Sequence, residues 1–160
     1  MSHELHRRYL ERCVELATQA LEEGNDPFGS LLLSAKGEVL FADYNRTATG
    51  NKMLHPELAI AAWAATNLSE EERSAAVVYT SGEHCAMCAA AHAWVGLGKI
   101  VFASSSAQLG KWMAEFQGEP SPISPLSIKD VAPAVETEGP FPEFADALSE
   151  LHRKNCKRRM

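Results

Sequence analysis

Two short stretches of the chain carry residue types that do chemistry: His55-Pro56-Glu57 and Cys85-Ala86-Met87-Cys88. In the first, a histidine and a carboxylate head the apolar run "LAIAAWAA". Proline favours the first position of a helix, where its missing N–H costs nothing. Pro56 therefore makes His55 the N-cap and Glu57 the second helical residue. Deep inside a helix, residues two apart point to different sides. An N-cap has non-helical dihedrals, so both side chains can face one site in front of the helix. Taken alone, the pair is also what a polar cap and a first-turn acid at the positive end of a helix dipole look like.

The two cysteines are three residues apart, which puts both sulfurs on one face of a first helical turn. A helix N-terminus favours thiolates. Four readings are open: a redox pair, a structural zinc site, a catalytic zinc site with His55 as third ligand, and two unrelated buried cysteines. The two stretches together are more specific than either. One imidazole and two thiolates leave one tetrahedral zinc position open for water, and zinc lowers the pKa of such a water. The reaction then needs a proton carrier that is not itself a ligand, and Glu57 has that position. His92 shares the helix face of Cys85 and Cys88, but it lies about 10 Å along the axis from Cys85, too far for easy closure of the site. His84, next to Cys85, reads as a polar loop residue or as a donor supporting the site. A redox role leaves His55 and Glu57 unexplained.

The elements that must position these residues follow from hydrophobic periodicity. Apolar residues at helical spacing run from Glu4 to about Glu23, and Gly24-Asn25 stops that helix. "PFGSLLLSA" and "EVLFADYN" read as a β-hairpin turned at "KG". The helix starting at Pro56 runs to about Asn67. "AAVVYTS" is a buried strand, "CAMCAAAHAWVGL" a helix closed by Gly98, and "KIVFAS" another strand. "SAQLGKWMAEF" reads as a helix, and Pro120, Pro122 and Pro125 make 117–125 an extended loop. "PAVETEG" is a weaker strand and "FPEFADALSELHRK" a closing amphipathic helix. Helices alternate with strands after the hairpin, so most of the sheet is expected to be parallel, with helices on both faces. Both chemical stretches then open helices at the C-terminal ends of strands, where open α/β sheets gather their ligands.

Composition narrows the function classes. A chain of 160 residues suits one domain, 1–160, and 46% hydrophobic with 22% charged residues is ordinary for a globular protein. The net charge of −6 disfavours nucleic acid as a partner. The basic "HRKNCKRR" end reads as a cap on a terminal helix. No apolar run reaches the roughly 18 residues of a membrane span. The charged start "MSHELHRRYLERC" lacks the apolar core of a signal peptide, so a cytoplasmic location is the default. Cys13, in an apolar stretch, reads as a small buried residue.

The chain resembles the zinc-dependent cytidine deaminase superfamily, whose nucleobase deaminases carry H-x-E followed by P-C-x-x-C. Here the signature stands as His55-Pro56-Glu57 and Cys85-Ala86-Met87-Cys88. "DPFGSLLL", "DYNRT" and "YTSGEHCAMC" extend the likeness over about residues 4 to 150. Phe28 in "PFG", the Cys-x-Met-Cys form and Trp94 in "AHAWVGLGKIVFA" are most similar to the guanine and cytosine deaminase branch. The resemblance implies an α/β/α sandwich on a five-stranded mixed sheet, an antiparallel hairpin followed by parallel strands. It also implies a homodimer with composite active sites, a small heterocyclic substrate, and zinc held by His55, Cys85 and Cys88. Glu57 would carry protons and Asn45 would read the base edge, its amide able to donate and accept. Phe28, His84 and Trp94 are expected around the substrate. Two departures stand out. Pro56 replaces the commoner alanine, and His84 replaces the usual proline. Guanine deaminases also use an acid after the fourth strand, where "KWMAEFQG" offers only Glu115; that role is not carried over. A transfer-RNA adenosine deaminase and a non-enzymatic zinc-stabilised binding module remain the rival readings.

Overall fold

A computed structural model of the protein describes residues 2–160. Helix α1 (His3–Glu22) starts on Ser2, whose hydroxyl accepts from the Leu5 N–H, and its inner stripe is Leu10, Cys13, Leu16, Ala17 and Ala20. Cys13 is fully buried there, the small core residue its sequence context suggests. Strand β1 (Gly29–Leu33) is buried throughout and pairs with β2 (Val39–Tyr44), an edge strand that is exposed or half-buried until Tyr44. The hairpin turns through Gly37 at φ +84°. Gly29 has a different reason to be glycine. A Cβ there would lie 2.4 Å from Leu16 Cβ and 2.5 Å from the Cys13 carbonyl, so its absence lets α1 press onto the start of β1.

The chain continues through α2 (Pro56–Asn67), α3 (Glu70–Ala75), β3 (Val77–Gly82), α4 (Ala86–Trp94) and β4 (Ile100–Ser104). It ends with α5 (Ser106–Glu115), α6 (Ile128–Val131), β5 (Thr137–Glu138) and α7 (Ala145–Arg158). The strand order is β2-β1-β3-β4-β5. The five-stranded mixed sheet, an antiparallel hairpin followed by parallel strands, is as expected. β1 is antiparallel to both β2 and β3, and only β3–β4 and β4–β5 are parallel. The cause is the crossover through α2, which lays β3 on the far side of β1 from β2. Two layers of helix cover the sheet. Leu31, Tyr79, Val101 and Ala103 join the core containing Leu10, Ala17, Leu148 and Leu151 from α1 and α7. Leu32, Val78, Ile100 and Phe102 join Ile60, Ala64, Ala89 and Ile128 on the other face.

Three details differ from the sequence expectation. Helix α4 ends at Trp94, and Gly96 at φ +73°, rather than Gly98, lets the chain turn away. Gly98 instead runs against the Ser74 and Ala76 carbonyls, where a Cβ would come within 2.5 Å. The strand in "PAVETEG" shrinks to Thr137–Glu138. Helices α3 and α6 were not expected, although each opens with a capping box, Ser69 to Glu72 and Ser127 to Asp130.

Helix α7 closes the end of the sheet. Lys157 and Arg158 lie in its last turn, as expected of the basic tail, and the tail also ties α7 to the end of α1: Arg158 Nη1 donates to the Leu21 carbonyl at 3.0 Å, and Arg159 Nη2 donates to Asp26 Oδ1 at 2.7 Å. His152 on its inner face packs between the rings of Phe28 and Trp112. Burial pushes the His152 imidazole down to about 4, against a small upward pull from Asp26. The unfolded chain titrates this ring near 6.5, so below that pH it binds a proton that the folded chain refuses. Stability is then full above about pH 6.5 and falls as pH drops toward 4, by about 3 kcal/mol from this residue. Urea midpoints at pH 7 and pH 5 will show the loss, and His152→Leu will make it smaller. Equal losses in both proteins would exclude His152 as the cause.

Candidate active site

The side chains singled out by type and spacing meet between the N-termini of α2 and α4. His55 caps α2 with extended dihedrals (φ −90°, ψ 140°), and Pro56 takes the first helical position. Cys85 caps α4 in the same extended region, and Cys88 follows in its first turn. His55 Nδ1 lies 3.6 Å from Cys85 Sγ and 3.5 Å from Cys88 Sγ. All three ligand atoms lie within 4.8 Å of one another. A tetrahedral zinc with ordinary Zn–N and Zn–S bonds separates N from S by about 3.6 Å, so the donor set fits that ion.

Charge favours the same conclusion. The Cys85 thiol is pulled down to about 4, first by its hydrogen bond with Cys88 and then by His55. The Cys88 thiol is pushed up as the donor of that bond and by its burial. The His55 imidazole is raised, chiefly by Cys85, and it also has a backbone hydrogen bond with Lys52. The cluster thus pairs a ready thiolate with the imidazole, and a bound metal cation would take the place of the protons these groups share.

Glu57 enters the same space from the first turn of α2. It is 6% exposed, and its Oε1 accepts from Ser30 Oγ at 2.7 Å and contacts Thr80 Oγ1 at 3.2 Å. Burial raises its proton affinity, partly offset by Ser30 and His55, and its carboxyl reaches the Cys88 thiol. Both strand contacts end on one oxygen, Oε1. Ser30 and Thr80 face each other in the β1–β3 register. They are the supporting residues that sequence reasoning missed. The signal was present: they are hydroxyl residues inside strands otherwise read as buried and apolar.

A model of the cytidine and deoxycytidylate deaminase zinc-binding region matches residues 3–104, which include all four of these side chains. The chain belongs to this family. It is a deaminase, and the family's metal is zinc. A probable cytosine deaminase of Schizosaccharomyces pombe (strain 972 / ATCC 24843) is 29% identical over 139 residues, 84% of this chain and 83% of the relative. The solved guanine deaminase of Nitrosomonas europaea covers 93% of this chain and 83% of its own, with a TM-score of 0.66 and 18% identity. A chain from structural work on tRNA:A34 deaminases covers 91% of this chain and 99% of its own, with a TM-score of 0.64 and 22% identity. At such identities the two structures show the fold, and they confirm the deaminase sandwich.

The other expected site residues in this deaminase divide. Asn45 follows the end of β2 and donates its backbone N–H to the Phe28 carbonyl at 3.0 Å. Register places Phe28 beside it, and the Phe28 ring leans over Gly82, where a Cβ would come within 3.2 Å of it. Gly82 lies two residues past Thr80, so Asn45 and Phe28 sit one step beyond the Ser30–Thr80 pair that holds Glu57. His84 is buried and packs edge-on against His92. His92 donates from Nε2 to the Gly98 carbonyl at 2.7 Å and does not belong to the His55–Cys85–Cys88 donor group. Trp94 is not brought to the cluster. It is 89% exposed, beside Glu70, Arg73 and Val131. Nine residues at about 100° each place it half a turn around α4 from Cys85. Glu115 ends α5 in solvent.

Proposed function

We propose that this chain is a zinc-dependent hydrolytic deaminase of a free nucleobase, nucleoside or related amino-heterocycle, of the cytosine, guanine or amino-triazine type. The single observation that carries the reading is Glu57. It is a buried carboxyl, anchored through one oxygen to two strands, and it stands against a His–Cys–Cys donor set without belonging to it. His55, Cys85 and Cys88 are the residues that would hold the metal. Bound there, zinc supplies the Lewis acidity that makes a water reactive at neutral pH.

The chain's own residues do the rest. The reaction forms a C–O bond at the ring carbon that bears the amine, breaks its C–N bond and releases ammonia. Glu57 takes the proton that the attacking water gives up. It passes that proton to the neighbouring ring nitrogen, and then delivers the proton needed by the departing amine. Burial suits it to the first transfer, because a raised proton affinity makes the carboxylate a better base. Asn45 meets the edge of the heterocycle and Phe28 lies beside the ring. The resemblance further supports a homodimer, and the absence among the described residues of any helix able to cross a membrane is compatible with a cytoplasmic enzyme.

A transfer-RNA adenosine deaminase would share the zinc chemistry but needs a basic face. The net charge of −6 and a basic tail tied to Leu21 and Asp26 favour a small substrate instead. The deciding experiment is a screen for ammonia release by the purified protein against bases, nucleosides and amino-triazines. At least one will be turned over. Release of ammonia from none of them, together with tight binding of transfer RNA at physiological salt, would replace this reading with the other.

A further inference from the structure

Asn45 can in principle present a substrate with either end of its amide. The structure removes that freedom. Its Oδ1 accepts from the Thr47 backbone N–H at 3.0 Å and from the Thr47 hydroxyl at 2.7 Å. A backbone N–H can only donate, so the amide atom facing it is the carbonyl oxygen, whichever way the side chain is drawn. Both lone pairs of that oxygen are then engaged. What Asn45 has left to offer is its NH₂ group, two donors and no acceptor.

Thr47 is itself held. It is 2% exposed and opens a single 3₁₀ turn (Thr47–Thr49). The next residue, Ala48, donates its N–H to Asn25 Oδ1 at 2.9 Å. Asp26 Oδ2 lies 3.4 Å from the Thr47 hydroxyl, and its other oxygen is gripped by Asn155 Nδ2 at 2.9 Å and by Arg159 Nη2 at 2.7 Å, both on the α7 side. The hydroxyl has one proton, and the shorter contact assigns it to Asn45.

We propose that Thr47 is a positioning residue of this site. It turns the Asn45 carbonyl inward, so that the enzyme selects heterocycles whose edge at Asn45 carries an acceptor, a ring carbonyl oxygen or an unprotonated ring nitrogen. An edge that presents N–H meets two donors and is rejected. The inference rests on the proposed contact between Asn45 and the substrate.

The test uses whichever substrate the ammonia screen yields. Thr47→Val keeps the backbone N–H and the shape but removes the hydroxyl. It will raise KM by about fivefold, the scale of one neutral hydrogen bond, and leave kcat within about twofold. Thr47→Ser will restore KM. Asn45→Asp, which offers an acceptor in place of the donors, will raise KM at least as much as Asn45→Ala. Adding Thr47→Val to Asn45→Ala will change KM no further. An unchanged KM in Thr47→Val, a failure of serine to rescue, or full additivity of the double variant would overturn the positioning role. An unchanged KM in Asn45→Asp would overturn the selection for acceptors. If Asn45→Ala itself leaves KM unaltered, Asn45 does not meet the substrate, and the failure lies in the reading beneath.

Discussion

Glu57→Gln will lower the rate of ammonia release by about a thousandfold while the protein keeps its fold and its zinc. Proton transfer by a positioned side chain contributes roughly 10²- to 10⁴-fold, and here one carboxyl serves every transfer. The substitution is close to isosteric. The glutamine carbonyl can still accept from Ser30, which donates to Oε1 at 2.7 Å in the native protein. Glu57 is nearly inaccessible and its proton affinity is raised by burial, so replacing an ionisable group with a neutral one removes a desolvation cost. The thermal midpoint will therefore hold or rise. Rate, zinc content and midpoint measured on one preparation separate a lost proton carrier from a broken site. A variant with full zinc and a rate within tenfold of the native enzyme would exclude Glu57 as that carrier.

Cys88→Ser will strip the metal. A serine hydroxyl stays protonated near neutral pH and is a poor ligand for zinc, and Cys88 is fully buried. Loss of a supporting hydrogen bond to a ligand already costs 10- to 100-fold in metal affinity, so loss of a ligand will cost more than about 100-fold. Because zinc binds only the folded site, the native protein at zinc a thousandfold above its Kd gains about 4 kcal/mol. For a chain of this length that is about 10 °C in the thermal midpoint. A chelator will bring the native protein down toward the variant and leave the variant where it is. One zinc per chain in Cys88→Ser would remove it from the ligand set. A reversible Cys85–Cys88 disulfide in place of zinc would revive the redox reading.

The chemistry was legible because it is written in residue types that have few other uses at that spacing. Pro56 announces the helix start, and the cap geometry of His55 and Glu57 follows from it. Cys85 and Cys88 announce the second helix in the same way. What escaped was direction and support. His84 adjoins a ligand in sequence, yet its ring turns down α4 onto His92. Adjacency along a chain carries no information about where a side chain outside a regular element points. Trp94 is different, since the helix period alone puts it away from the cysteines. Ser30 and Thr80 looked like interruptions in apolar strands because only the β1–β3 register brings them together. The antiparallel seam itself was not legible for the same reason: alternation of helix and strand gives the direction of a crossover but not which strand it lands beside.

That seam has a mechanical side. Glu57 rests on Ser30 of one strand and Thr80 of the next, so its carboxyl straddles a joint between two rods. If β1 slid along β3, its two supports would part, and a slip of one residue would put Leu31 or Gly29 where Ser30 stands, and neither has a hydroxyl. Antiparallel hydrogen bonds run across the strands, the orientation that best resists such sliding. The close seating of α1 on Gly29 clamps the same rod from the other face. The shear stiffness of the sheet thus sets how far the Glu57 carboxyl can wander. The parts of the molecule that look most like plain scaffold are the bracket that keeps the reaction in register.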